Sequence, residues 1–259
     1  MRGTGYHFMT NGVTELNSIL KRARDYPYWA PKSSYTWDSS AEPNNVRPFD
    51  PNLVLNCWPV LAVGSNRSPE QLSRKFEGIN VGPIAVQYGR ITDFDVVYAA
   101  HISAYGAVPA MLQREQGVQA KIAVTWLSDE QLKIMHRTEG NYHFGEIEHV
   151  QLVLEHGESI ESAYFYVGKH GSLNMNNQAI GVKDIAALNR PYVSANSAEI
   201  LETLRERLGA SEDPDNFILR LVNDDHYRGA IISILASKAQ PFDYPVNIIE
   251  NDLCGSQER

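Results

Sequence analysis

The chain has 259 residues, 43% of them hydrophobic and 21% charged, which is enough to bury a core without disulfide or metal staples. Its formal net charge of −8, with no Lys/Arg stripe to offset it, argues against a nucleic-acid partner. Two cysteines far apart, Cys57 and Cys254, no cysteine-pair or H-E-x-x-H metal signature, no signal peptide and no run of membrane-spanning length lead us to expect a cytoplasmic protein with no metal, cofactor or membrane partner.

Asn11 to Tyr26 reads as an amphipathic helix, with Val13, Leu16, Leu20 and Ala23 at helical spacing and Lys21, Arg22 and Arg24 toward its C-terminal end. Asp25 to Asn56 is punctuated by Pro27, Pro31, Pro43, Pro48 and Pro51 and carries six scattered aromatics. It reads as an extended wrap pinned by its rings to a neighbouring surface.

From Cys57 short strands take over. Val60 to Val63 ends abruptly in Gly64-Ser65-Asn66, and Ser68-Pro69-Glu70-Gln71 then opens a helix to Phe76, with Ser68 as N-cap and Pro69 at N1. Such a junction offers free backbone N–H groups, with the Ser65 hydroxyl and the Asn66 amide, to an anion; it is equally an ordinary capped turn. Ile84 to Tyr88, Ile91 to Ala100, Val118 to Leu127, Phe144 to Leu154 and Ser162 to Val167 carry β-branched and aromatic runs of strand length, and Val108 to Leu112 adds a short one. Ser128-Asp129-Glu130-Gln131 repeats the capping pattern and opens a helix to about Thr138, with Gly140 as its stop. The connections are too short for repeated helical crossovers, so a mixed or largely antiparallel sheet, closed into a small barrel, is expected.

His170 to Pro191 is a polar connector. Asn196 to Leu208 reads as a capped helix, and Asp213-Pro214 opens further helix to about Lys238, with a break near Gly229. Val246, Ile248 and Ile249 are placed to dock on the body, and Gly255 to Arg259 should be loose. Three parts result: 1–56, a helix and wrapping arm; 57–169, a β-rich core; 170–259, a connector, C-terminal helices and tail.

On a helix Leu132, Met135 and Glu139 share one face, with His136 beside them. Leu132 and Met135 seek the core and draw Glu139 inward, unless fraying at Gly140 lets it reach solvent. Burial and the negative end of the helix dipole there both favour its protonated form, which suits general acid/base work. His136 reads as a packing or hydrogen-bonding side chain. The G-x-S-x-G elbow of a serine nucleophile is absent.

Taken in order, Val63-Gly64-Ser65-Asn66-Arg67, Gly89-Arg90-Ile91-Thr92-Asp93-Phe94, and Glu139-Gly140 followed by Tyr142 resemble the motifs of the gamma-glutamyl cyclotransferase-like family over about residues 60–167. The resemblance implies an α+β fold: a small, mixed, partly closed β-barrel with flanking helices, here carrying a helical C-terminal extension. It implies a cavity for a small molecule with a γ-glutamyl or related carboxylate group, held by Val63, Gly64, Ser65, Asn66, Arg67 and Tyr142. In it Glu139 acts as general base and acid in releasing 5-oxoproline from a γ-glutamyl amine or peptide, without metal or cofactor. Val63 stands where the family usually has tyrosine, so a hydroxyl is missing, and Arg67 stands where leucine is common. The rival readings are a non-catalytic binding domain that kept the pocket and a self-associating scaffold, a homo-oligomer, built on an apolar face of Phe217, Leu221 and Ile231.

Overall fold

The computed structural model describes residues 5–42 and 44–249, with side chains from residue 14 onward. Pro43, Cys254 and the Gly255 to Arg259 tail, on which the sequence raised expectations, lie outside these residues, and the Val13 side chain lies outside the described side chains. Helix α1 (Gly5–Arg24) starts earlier than its apolar spacing indicated. It buries Leu20 and Ala23 but leaves Leu16 exposed.

Strands β1 (Tyr35–Trp37) and β2 (Val46–Pro48) follow, so the proline-rich arm is not wholly irregular. Next come β3 (Trp58–Ala62), α2 (Pro69–Lys75), β4 (Ile84–Tyr98), β5 (Ala110–Leu127), α3 (Asp129–His136), β6 (Tyr142–Leu154) and β7 (Ser159–Gly168). Each of β4 and β5 is one long strand where the sequence suggested two. The interruption is a bulge at Asp93, whose φ is 64° and whose Oδ1 accepts a hydrogen bond of 2.8 Å from the Gly117 N–H across the hairpin.

Five strands close a barrel. β3 pairs antiparallel with β5, β5 with β4, β4 with β6 and β6 with β7, and β7 returns to β3 in parallel. Closure leaves no free edge among them. The arm continues the sheet outward: β1 pairs with β4, with Trp37 opposite Ile84, and Tyr35 and Trp37 are buried. The connector after β7 is less loose than its composition indicated. Gly181–Val182 pairs with β4 and Ala187–Leu188 with β5, and Arg190 holds the buried Asp95 of β4 through two hydrogen bonds of 2.6 and 2.8 Å.

Helices α4 (Ser197–Arg207), α5 (Pro214–Asn223) and α6 (Asp225–Ala236) pack with α1 against the barrel. The break between the last two falls at Asp224, not Gly229. Asp224 is extended and its carboxylate caps the Tyr227 N–H. Phe217, Leu221 and Ile231 are buried within the chain, so the open apolar face that would favour a scaffold is covered. Asn247–Ile248 adds a short strand to β6. Among the described residues no helix is long and apolar enough to cross a membrane.

Candidate active site

The parallel register of β3 and β7 sets the site. Val60 lies opposite Tyr164, so four residues further along both strands Gly64 reaches the level of Gly168, the partner of Tyr142 at the start of β6. The end of β3, the start of β6 and the start of β5 thus meet at one end of the barrel. A cavity of about 370 Å³ opens there. Val63, Gly64, Ser65, Asn66, Glu139 and Tyr142 all line it.

Between β3 and α2 the chain makes one 3-10 turn, Ser65–Arg67, and not a direct glycine turn into the helix. Ser68 holds the N-cap position of α2, but its hydroxyl donates to the Trp29 carbonyl at 2.8 Å instead of capping. Among the described residues the N–H groups of Gly64, Ser65 and Asn66 make no backbone hydrogen bond. Three donors are therefore left at the cavity wall. Arg67 is the residue that departs from the sequence reading. Its guanidinium reaches the Asp184 carbonyl at 3.3 Å, beside Tyr88, and does not line the cavity.

Glu139 enters the cavity from the turn after α3, which ends at His136 and not near Thr138. The capping box expected from Ser128 and Gln131 is present, and Gln131 also donates to the carbonyls of Val81 and Pro83. Helical spacing thus buries Leu132 and Met135, and the turn, not the helix, carries the carboxylate inward. Gly140 has no positive φ, and a Cβ there would meet nothing within 4 Å, so it is not a left-handed stop.

The Glu139 side chain is 11% exposed and its Oε1 is ion-paired with Lys75, which is 5% exposed. The Asn66 amide donates to the same oxygen at 2.9 Å, and Lys75 also donates to Thr138 Oγ1 at 2.8 Å. Lys75 is the cavity residue that the motifs do not show. The signal was present: Lys75 follows the buried Gln71 and Leu72 by one helical turn. His136 packs on Phe144 and Tyr166, and its Nδ1 lies 3.0 Å from the Tyr166 hydroxyl; burial lowers its pKa.

The arm brings a tyrosine hydroxyl to the turn that follows Val63. Tyr26, buried at 3% exposure, lies against Gly64, where its hydroxyl fills the space a Cβ would take. The Tyr26 oxygen accepts from the Ala110 N–H at 2.7 Å, while the Tyr142 hydroxyl donates to the Ala110 carbonyl at 3.2 Å. One residue of β5 thereby fixes two tyrosines. Burial, more than the neighbouring Tyr28, Tyr98 and Glu139, pushes the Tyr26 hydroxyl up, and burial first does the same for Tyr142. Both remain proton donors at neutral pH. Among the described residues nothing accepts the Tyr26 proton. Arg22, Arg74, His101 and Tyr105 complete the wall. Among the described residues no three His, Cys, Asp or Glu side chains come together as a metal site would need.

No family model matches the chain, and no curated protein matches it by sequence. Among solved structures it is similar to one described as a gamma-glutamyl cyclotransferase, at 14% identity over 74% of this chain and 94% of that one, with a TM-score of 0.35. It is also similar to an uncharacterized protein from Homo sapiens, at 15% identity over 75% and 95%, with a TM-score of 0.36.

Proposed function

We propose that the cavity binds a γ-glutamyl compound and cyclises it, releasing 5-oxoproline, with Glu139 as the proton carrier. The observation that carries this reading is the meeting, in one cavity, of a nearly buried carboxylate and a turn with three free N–H groups. An α-amino acid head has a carboxylate for the turn and an ammonium for Glu139.

Held so, the head offers its nitrogen to its own γ-carbonyl carbon. The ammonium loses a proton to Glu139, the nitrogen attacks, and a five-membered ring closes. The bond from the γ-carbon to the leaving nitrogen then breaks, and Glu139 returns the proton there. Two protons in all pass from the attacking nitrogen to the leaving one. Intramolecular attack needs positioning above all, which a small enclosed site supplies. The Tyr26 hydroxyl, fixed by Ala110 and with its proton unspent, is the donor for an oxygen that gains charge during the attack.

The test is direct measurement of 5-oxoproline from γ-glutamyl amines, γ-glutamyl dipeptides and glutathione. Glu139→Gln removes the proton carrier and should cost about 10²- to 10⁴-fold in turnover. Because Gln also leaves Lys75 without its counter-charge, Glu139→Asp is measured beside it. Asp keeps the charge but withdraws the carboxylate by one methylene, so it should fold as wild type and still lose most turnover. Equal product from the three proteins removes Glu139 from the mechanism. Binding of γ-glutamyl compounds by wild type without product leaves the binding-domain reading in its place.

A further inference from the structure

We propose that Arg22, presented by α1, anchors a second anion subsite that selects γ-glutamyl compounds whose leaving group carries its own carboxylate. The inference rests on the cyclotransfer reading for the identity of the ligand and on charge and placement for the subsite itself.

Three cations line the cavity, Arg22, Arg74 and Lys75, against one carboxylate, Glu139. Lys75 is paired with Glu139, and Arg74 with Glu70, which lies outside the cavity. Among the described residues Arg22 has no carboxylate partner, and its Nε is buried without a hydrogen bond. A cation held in a partly buried site without a counter-charge is costly unless the site's occupant supplies one.

The zwitterionic head of a γ-glutamyl compound carries no net charge and meets the Lys75–Glu139 pair, which carries none. One positive charge is left over, on Arg22. An amine leaving group does not match it, and an amino acid or peptide leaving group with a free carboxylate does.

Placement agrees. The Arg22 guanidinium lies 4.6 Å from the centre of the Tyr105 ring. Tyr105 lies beside Tyr28, with ring centres 6.5 Å apart, and Tyr28 beside Tyr26 at 5.9 Å. Tyr26 in turn covers Gly64. A row of aromatic rings thus connects Arg22 to the turn that takes the head, and both face the same cavity. The rings also fix the guanidinium, which lowers the entropy lost when it grips a carboxylate.

The test compares γ-glutamylalanine with γ-glutamylalaninamide, which differ by one charge at the leaving group. Affinities are measured by calorimetry in the Glu139→Asp background, where turnover is slow, and 5-oxoproline is measured in parallel with Glu139 intact. The acid should bind about 10- to 100-fold more tightly than the amide. Arg22→Ala should remove that advantage while changing amide affinity less than about twofold, and Arg22→Lys should keep part of it. Equal affinities for acid and amide overturn the subsite, as does an equal loss of both in Arg22→Ala, which marks a structural role. An Arg22-dependent preference without 5-oxoproline from wild type upholds the subsite and removes the cyclotransfer reading. Product without the preference does the reverse, and no binding of either probe removes both.

Discussion

The two walls of the cavity are built on different physics. The barrel wall holds Gly64 to Asn66, Lys75 and Glu139 through strand register and directed polar contacts, and its charges are paired. The opposite wall, made by the end of α1, the arm and the β4–β5 loop, presents the rings of Tyr26 and Tyr105, which both pack on Tyr28, and Arg22, which lies on the Tyr105 ring. Polar pairing fixes atoms to within a bond length, which proton transfer needs. Ring packing fixes shape, which selection needs. On the proposed reading the barrel wall carries the proton transfer and the arm wall the selection, and the two meet where Tyr26 lies on Gly64.

Lys75→Met breaks the barrel wall hardest. It leaves Glu139 as a nearly buried carboxylate with, among the described residues, only the Asn66 amide to hold it. Removing one partner of a buried pair costs about 3–5 kcal/mol, so the urea midpoint should fall steeply. Lys75→Met combined with Glu139→Gln removes both charges and should recover much of that loss. No recovery in the double variant means that Lys75 acts through its packing and not through the pair.

The two walls also differ in how far they were legible. The barrel wall follows local rules. The Ser128–Gln131 capping box and the strand runs are written within a few residues of where they act, whereas Glu139, which helical spacing from Leu132 and Met135 turns inward, is in fact brought in by the turn after α3. The arm wall depends on meetings that no local period encodes. Tyr26 reaches Ala110 across 84 residues; the barrel wall has one such meeting too, Lys75 with Glu139 across 64, and it is the one the motifs do not show. The aromatic-rich arm was visible as something pinned to a surface, but which ring fills the space beside Gly64 follows only from tertiary packing. Arg67 shows the reverse error: it neighbours the turn in sequence, and its side chain leaves the cavity.

The loop wall makes a pH-dependent contribution through one buried histidine. His101 is 7% exposed, and among the described residues neither ring nitrogen has a hydrogen-bond partner. Burial, then His170 and Arg228, lowers its pKa to about 4 from the ordinary 6.5. Between those values the unfolded chain takes up a proton that the folded protein refuses. The stabilising contribution is therefore complete above pH 6.5 and is lost as pH falls toward 4, amounting to about 3 kcal/mol at most. Chemical denaturation from pH 7 to pH 4 should show this slope, and His101→Phe should flatten it. An unchanged slope in the variant places the imidazole in contact with solvent and the wall as more open than it stands.

Where the walls touch, the effect is smallest and the comparison sharpest. Gly64 does not need its glycine for a left-handed backbone, since its φ is −118°. It needs it because a Cβ would run into the Tyr26 hydroxyl, with Ala110 Cβ at 3.3 Å on another side. Gly64→Ala must therefore push the arm off the barrel or strain the turn, at about 1–3 kcal/mol. Tyr26→Phe removes the oxygen and with it the Ala110 hydrogen bond, worth about 1 kcal/mol. Each change alone is destabilising, but they compete for one space. Once the hydroxyl is gone the methyl group has room, so the double variant should be more stable than the sum of the two losses predicts, by about 1 kcal/mol. Denaturation midpoints of the four proteins measure this coupling. Additive losses would mean that Tyr26 does not seat on Gly64, which would separate the selecting wall from the reacting one and take the donor hydroxyl out of the cavity.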